Sequence, residues 1–212
     1  MKLFLISTAI VSLAATAVAQ RRVEVFFDVE GVRRTGRPSA FTPGVTRFEP
    51  QFKTGGGVGG GVNFFFSDRV SLEAKVAGLA SKTRVRIIGS DFIATADLGW
   101  AQLYPVSAVI QWHLLEDVAI RPYIGAGFVH TILRNINKQV GQGAMGIHFK
   151  DPTGLVVDGG LEFSVSKKWS LLGDARYVPM ETKSQVTFPG TISRLDMSVR
   201  PLIVSFGLGY RF

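Results

Sequence analysis

Cysteine is absent from the 212-residue chain. That excludes a disulfide framework and any thiolate metal or redox site. Histidine is scarce: His113, His130 and His148 are scattered with no metal-ligand spacing, so neither a metal nor a cofactor is expected. Long apolar runs are missing too. After the first twenty residues no stretch approaches the roughly 20 apolar residues of a membrane-spanning helix, although the mean hydropathy is positive. That combination is characteristic of transmembrane strands. No pattern brings a serine, a histidine and an orienting carboxylate together, so an enzyme, including an acyltransferase barrel acting on lipid A, is not expected.

The opening segment "MKLFLISTAIVSLAATAVAQ" places Lys2 before an apolar run and ends on an A-x-A pattern at Ala17 to Ala19. Residues 1–19 therefore read as a cleaved export signal rather than an anchor. Its loss leaves residues 20–212 as one domain. Since Lys2 leaves with it, the formal charge of +8 becomes +7.

Period-2 alternation recurs near residues 22–31, 55–66, 69–80, 99–114, 119–133, 153–165, 169–181 and 197–212. The intervening segments alternate between tight turns, at Ser67, Glu116 and Ser166, and long connections at 32–54, 81–98, 134–152 and 182–196. The fold class that follows is all-β: an eight-stranded antiparallel up-and-down transmembrane β-barrel with short periplasmic turns and long extracellular loops. In the last strand Leu202, Val204, Phe206, Leu208, Tyr210 and Phe212 share one face, which suits lipid. Trp100, Trp112, Trp169 and Tyr210 fall near strand ends, where interfacial aromatic girdles sit. A soluble lipocalin-like carrier would need the opposite parity, and the girdle and turn asymmetry argue against it.

The stretch "TGGGVGGGVNFFF", Thr54 to Phe66, contains a formal G-x-G-x-x-G, but no helix follows it as a dinucleotide site requires. Eight strands leave an interior with room only for side chains. The glycines are better read as steric relief, with Gly57, Gly59 and Gly61 inward and Val58, Val62, Phe64 and Phe66 outward.

With a periplasmic N-terminus, the inward residues separate by height. Glu24, Asp28, Glu73, Lys75, Arg121, Glu162, Asp174, Arg176 and Arg211 fall in the periplasmic half, with Asp158 at the boundary. Mixed charges in so narrow a space must be paired, which predicts a salt-bridged plug. Leu79, Leu103, Val129, Leu133, Val156, Val178, Val199 and Ile203 fall in the outer half. This apolar set fits either ordinary tight packing or a pocket for a small hydrophobic molecule, which would have to leave sideways above the plug.

"YPVSAVIQWHL" at Tyr104 to Leu114, "RPYIGAGF" at Arg121 to Phe128, "GLEFSVSKKWSLLGDARYVPMET" at Gly160 to Thr182 and the terminal "VRPLIVSFGLGYRF" resemble, in order and spacing, the outer membrane protein W (OmpW) family. The resemblance implies an outer-membrane barrel of a Gram-negative bacterium with a narrow hydrophobic channel, lateral release of small hydrophobic compounds, and links to stress responses. The strongly basic first loop, with Arg33, Arg34, Arg37, Arg47 and Lys53, departs from the family, so phage or bacteriocin reception is not carried over.

Phe212, with Phe206, Leu208 and Tyr210 at alternate positions before it, resembles the signal read by the outer-membrane assembly machinery. Lys82, Arg84, Arg86, Arg134, Lys138 and Lys150 suit lipopolysaccharide phosphates or form a solvated basic rim. Expected partners are thus outer-membrane lipid, lipopolysaccharide, the assembly machinery and a small hydrophobic ligand. No nucleic acid is expected, since no aromatic and basic platform occupies one exposed face, and a monomer is expected. The competing function is a structural or surface-interaction barrel acting through its loops, with lipopolysaccharide, host or phage contacts.

Overall fold

The computed structural model describes residues 23–35, 47–116, 118–134, 136–140, 143–149, 151–188 and 191–212; the proposed leader at 1–19 lies outside them. Eleven strands are present among these residues: β1 (Val23–Thr35), β2 (Arg47–Phe65), β3 (Val70–Ile88), β4 (Ile93–His113), β5 (Ile120–Leu133), β6 (Ile136–Val140), β7 (Gly143–Phe149), β8 (Thr153–Ser164), β9 (Trp169–Tyr177), β10 (Met180–Phe188) and β11 (Thr191–Arg211). Eight of them close a barrel in the order β1-β2-β3-β4-β5-β8-β9-β11, and β11 pairs back onto β1 from Glu24 opposite Arg211 to Thr35 opposite Arg200. Closure leaves no unpaired sheet edge, the condition for a strand structure in lipid.

The remaining three strands continue the barrel strands beyond it. β6 follows β5, β7 precedes β8, and β10 follows β9; the breaks fall at Pro152 and at Val178 to Pro179. Proline offers no N–H to a ladder, and at these two places the strand is interrupted. β10 pairs with the upper part of β11, from Met180 opposite Val199 to Phe188 opposite Thr191.

This corrects the expected loops. Most of 47–54, 81–98 and 182–196 is strand, and 81–98 turns over tightly between Gly89 and Phe92, where Gly89 N–H donates to the Phe92 carbonyl at 2.9 Å. "KTRVRII" keeps period 2, with basic residues at every second position. Its charges suggest a solvated loop by composition, while its alternation makes a protruding ribbon. β4 absorbs one extra residue beside Gly99, whose φ of 91° favours glycine, and the register against β3 shifts between Thr83 and Arg84. That is the geometry of a glycine β-bulge.

The outer face is apolar. Phe27, Phe128 and Phe206 are 72%, 65% and 61% exposed. A continuous belt of such residues is incompatible with water and suited to hydrocarbon. At the short-turn rim Tyr210 meets Trp169 edge-on at 4.9 Å and Phe212 at 5.0 Å. Phe206, Leu208 and Phe212 point outward and exposed, with Tyr210 half-buried between its ring partners.

Candidate functional site: a charged plug beneath an apolar chamber

Inward parity brings the ten charged residues named from the sequence into one interior, and adds Glu30 to them. Toward the short-turn end, Arg211 Nη2 contacts Glu24 Oε2 at 3.0 Å and Glu162 Oε1 at 2.9 Å, and Arg121 also binds Glu162. One level up, Arg176 gathers three carboxylates: Glu73 at 2.7 Å, Asp174 at 2.7 Å and Asp158 at 3.5 Å. Beside it, Lys75 pairs with Asp28 and, at 2.6 Å, with Glu30. Neutral groups add to the Arg176 tier. Gln111 Nε2 donates to Glu73 at 3.1 Å and to Asp158 at 3.2 Å, and Tyr123 donates to Asp174 at 3.2 Å. Such shared pairing offsets the desolvation that isolated charges would suffer.

The glycines make the room. A Cβ on Gly59 would stand 2.6 Å from Asp28 Oδ1 and 2.8 Å from Glu30 Oε1. One on Gly125 would strike Asp158, and one on Gly209 would lie 2.9 Å from Glu24 Oε1. The glycine-rich stretch of β2 is thus the wall against which the plug packs, and no phosphate cradle is formed by it.

Above the plug, Val32, Leu79, Val109, Val129, Val156, Val178 and Ile203 form one buried cluster, with Leu103 packed against it. Within this ring lies a small chamber, walled also by Pro105, Thr131 and Pro201 and floored by Glu30, Lys75 and Arg176. Two of the expected chamber residues fall elsewhere. Leu133 is half-buried and does not line the chamber, because β5 ends there; it faces Leu103 across the ladder at the rim. Val199 stands in β11 opposite Met180, and its side chain lies outside the described residues. Val32, Val109 and Glu30 were not anticipated, although each has the inward parity of its strand, which is the signal that finds them.

Two ladder pairs are missing from the wall of this chamber, with the register of β3 against β4 the same on either side of them. β3 pairs with β4 at Val76 opposite Val106 and again at Leu79 opposite Leu103, yet Ala77 and Gly78 have no ladder partner on β4 among the described residues. On its other side β3 is fully paired there, Ala77 with Gly59 and Gly78 with Val58. The residues facing the break on β4 are Tyr104 and Pro105, and proline has no N–H to close it. Ala77 and Pro105 line both the inner chamber and a groove on the outer face floored by Gly60 and Gly78.

One arrangement runs against the sequence reading: a serine, a histidine and a carboxylate do meet. Ser71 Oγ lies 3.1 Å from His113 Nε2, and His113 Nδ1 is 4.0 Å from Glu162 Oε2. Three strands contribute one residue each, so only the register reveals the set. Acyl transfer needs an approachable hydroxyl and a hydrogen-bonded orienting acid. Ser71 is fully buried and lines none of the described cavities, and Glu162 is engaged by two arginines instead.

Residues 45–212 match the OmpW family. Outer membrane protein W of Salmonella typhi is 25% identical over 123 residues, covering 56% of this chain and 58% of that protein, so the chain spans less than two thirds of its relative. The outer-membrane protein y4mB of Sinorhizobium fredii is 22% identical over 153 residues, covering 71% and 63%. Among solved structures, OprG from Pseudomonas aeruginosa superposes with a TM-score of 0.71 at 14% identity, over 90% of this chain and 95% of OprG. The outer membrane protein AlkL superposes with a TM-score of 0.60 at 20% identity, over 90% and 89%. At these identities the structural likeness speaks for the fold alone.

Proposed function

This chain belongs to the OmpW family of Gram-negative outer-membrane β-barrels, and from that premise we propose that it takes up small hydrophobic molecules through the apolar chamber and releases them sideways into the membrane. No catalytic step is assigned to it. The observation that carries the reading is the break between β3 and β4, because the same two residues, Ala77 and Pro105, border both the chamber and the lipid-facing groove. Below the chamber, the paired charges make continued passage toward the periplasm costly for an apolar solute and for ions alike. A solute entering from the cell exterior therefore has the wall as its exit.

The absence of native cysteine supplies a clean test. Gly78→Cys with Tyr104→Cys places a disulfide across the break, since the register that runs from Val76 opposite Val106 to Leu79 opposite Leu103 sets these two residues opposite each other. Uptake of an apolar solute into cells or proteoliposomes should stop on oxidation and return on reduction. Unchanged uptake by the oxidised barrel would reject lateral release.

The surface-interaction reading has one observation of its own. Lys82 and Arg84 share the outward face of β3 above Gly78, and Lys82 stands directly opposite the exposed Trp100. A basic stripe just beyond an interfacial tryptophan suits the phosphates of lipopolysaccharide. This contact is compatible with uptake and adds a partner to it.

A further inference from the structure

Charge on the lipid-facing parity of a membrane strand is costly at the bilayer midplane and nearly free at the interface. Two strands carry such charge at one level. On β1, Arg33 follows Phe27, Val29 and Gly31 on the outward face and is exposed; on β3, Lys82 follows Gly78 and Ala80 on the same face. Gly31 pairs with Gly56 and Gly56 with Ala80, so Arg33 and Lys82 each stand two residues above a single ladder row. Trp100, opposite Lys82 and 61% exposed, marks that level as interfacial. One strand separates the two cations, which sets their Cα atoms about 10 Å apart, two strand spacings. Arg84 adds a third positive charge one step higher on β3. A single carboxylate, Asp97, lies 3.9 Å from Lys82 and 3.7 Å from Arg84, so the row keeps an excess of positive charge.

Directly beneath these cations the outer face is low. Gly31, Gly56 and Ala80 cross three neighbouring strands without a bulky side chain. A Cβ on Gly31 would meet only the Val204 carbonyl, at 3.9 Å. From this row the surface leads down into the apolar groove floored by Gly60 and Gly78, with the exposed rings of Phe27 and Tyr104 at its sides. We propose that this face of β1, β2 and β3 is a lipid A site, with one phosphate on Arg33, the other on Lys82 and Arg84, and acyl chains descending over the glycines into the groove. The inference rests on the lipopolysaccharide contact read above and adds to it Arg33, the pairing of two phosphates and a seat for the chains. Charge complementarity selects the occupant. A phospholipid brings one phosphate, whereas lipid A carries two at opposite ends of a rigid disaccharide, which matches cations held two strands apart. The groove also ends at Gly78 and Tyr104, so a chain lying in it covers the outer side of the missing ladder pairs.

The test titrates the refolded barrel in detergent and counts retained lipid by native mass spectrometry. The probes are bisphosphorylated lipid A, its monophosphorylated form, dipalmitoylphosphatidylglycerol and the fully deacylated bisphosphorylated disaccharide. Lipid A should be retained as a single copy, about fivefold more tightly than the monophosphorylated form, as expected for one charge pair at a membrane surface. Phosphatidylglycerol should be weaker still. Arg33→Gln should cost lipid A a similar factor. Ala80→Phe, which fills the seat from the outward face, should weaken lipid A severalfold and leave the deacylated disaccharide unchanged. Full lipid A binding by both variants, with loss in the Lys82→Ala, Arg84→Ala barrel, would overturn the seat and leave the lipopolysaccharide contact standing. Equal retention of phosphatidylglycerol and lipid A would overturn the choice of occupant. No retention of lipid A by the wild-type barrel would overturn both readings. The wild-type comparison among lipids decides the matter even if a variant fails to refold.

Discussion

Replacing Arg176 by methionine tests whether the plug is a paired, desolvated network or a wet one. The guanidinium contacts Glu73 and Asp174 at 2.7 Å each and Asp158 at 3.5 Å, and its side chain is 6% exposed. Methionine fills similar volume but leaves three buried carboxylates with only Gln111 and Tyr123 as donors. Removing one partner from a buried ion pair costs about 3–5 kcal/mol, because the orphaned charge remains out of water. The loss can be read as urea unfolding from lipid vesicles, followed by tryptophan emission. Trp100, Trp112 and Trp169 all lie on the outer face, so their emission reports departure from lipid. A second substitution makes the result sharper. Asp174→Asn should destabilise the wild-type barrel, where it removes an ion-pair partner, and stabilise the Arg176→Met barrel, where it removes an orphaned charge. A loss below about 1 kcal/mol for Arg176→Met would show that water already solvates the interior. The same sign for Asp174→Asn in both backgrounds would refute the pairing argument independently.

Gly59→Leu should cost at least the ~1–3 kcal/mol of an overpacked core, whereas Gly31→Leu, whose Cβ would meet only the Val204 carbonyl at 3.9 Å, should be tolerated; equal losses in the same unfolding assay would refute the wall reading. Lys82→Ala with Arg84→Ala should weaken lipopolysaccharide binding by about 1 kcal/mol per charge, and more in low salt than in high; unchanged binding to immobilised lipopolysaccharide would remove that partner. Deleting Phe212 should lower the yield of heat-modifiable barrel in cells while leaving refolding into detergent unaltered; a refolding defect would assign the residue to stability instead of to assembly.

The part of the fold that crosses the bilayer was legible because lipid and lumen impose opposite chemistry on alternate residues. Leu79, Val129, Val156, Val178 and Ile203 lie in the apolar ring for that reason, and the plug charges share one interior for the same reason. Beyond the bilayer that constraint disappears. Lys82, Arg84 and Arg86 alternate as regularly as any membrane strand, but charge on their outward face mimics a loop. The chamber floor and the Ser71, His113 and Glu162 contact depend on which residues of different strands stand level, and that depends on ladder register. Parity gives a residue its face and is silent about its height relative to a neighbouring strand. Glu30 was within reach of parity, but its ion pair is visible only once Lys75 is in place.

Pro105 brings stability and release into opposition. A proline inside a strand paired on both sides forfeits a ladder hydrogen bond and is normally confined to edges or bulges. Here β4 continues through it, keeps the pairing of Pro105 with Thr131 on β5, and loses the pairing with β3 over two residues. Nothing in the packing of the chamber requires a pyrrolidine ring at that point, since valine would offer the same apolar lining. If the break exists for lateral release, Pro105→Val should restore an N–H opposite Ala77, close the ladder and stabilise the barrel by about 1 kcal/mol, while slowing apolar uptake. The trade follows the general conflict between stability and a site that must open. A variant that is both more stable and equally fast would mean that the solute leaves by another path. A variant that is less stable would mean that the ring supports the local backbone and that the break is a consequence of packing.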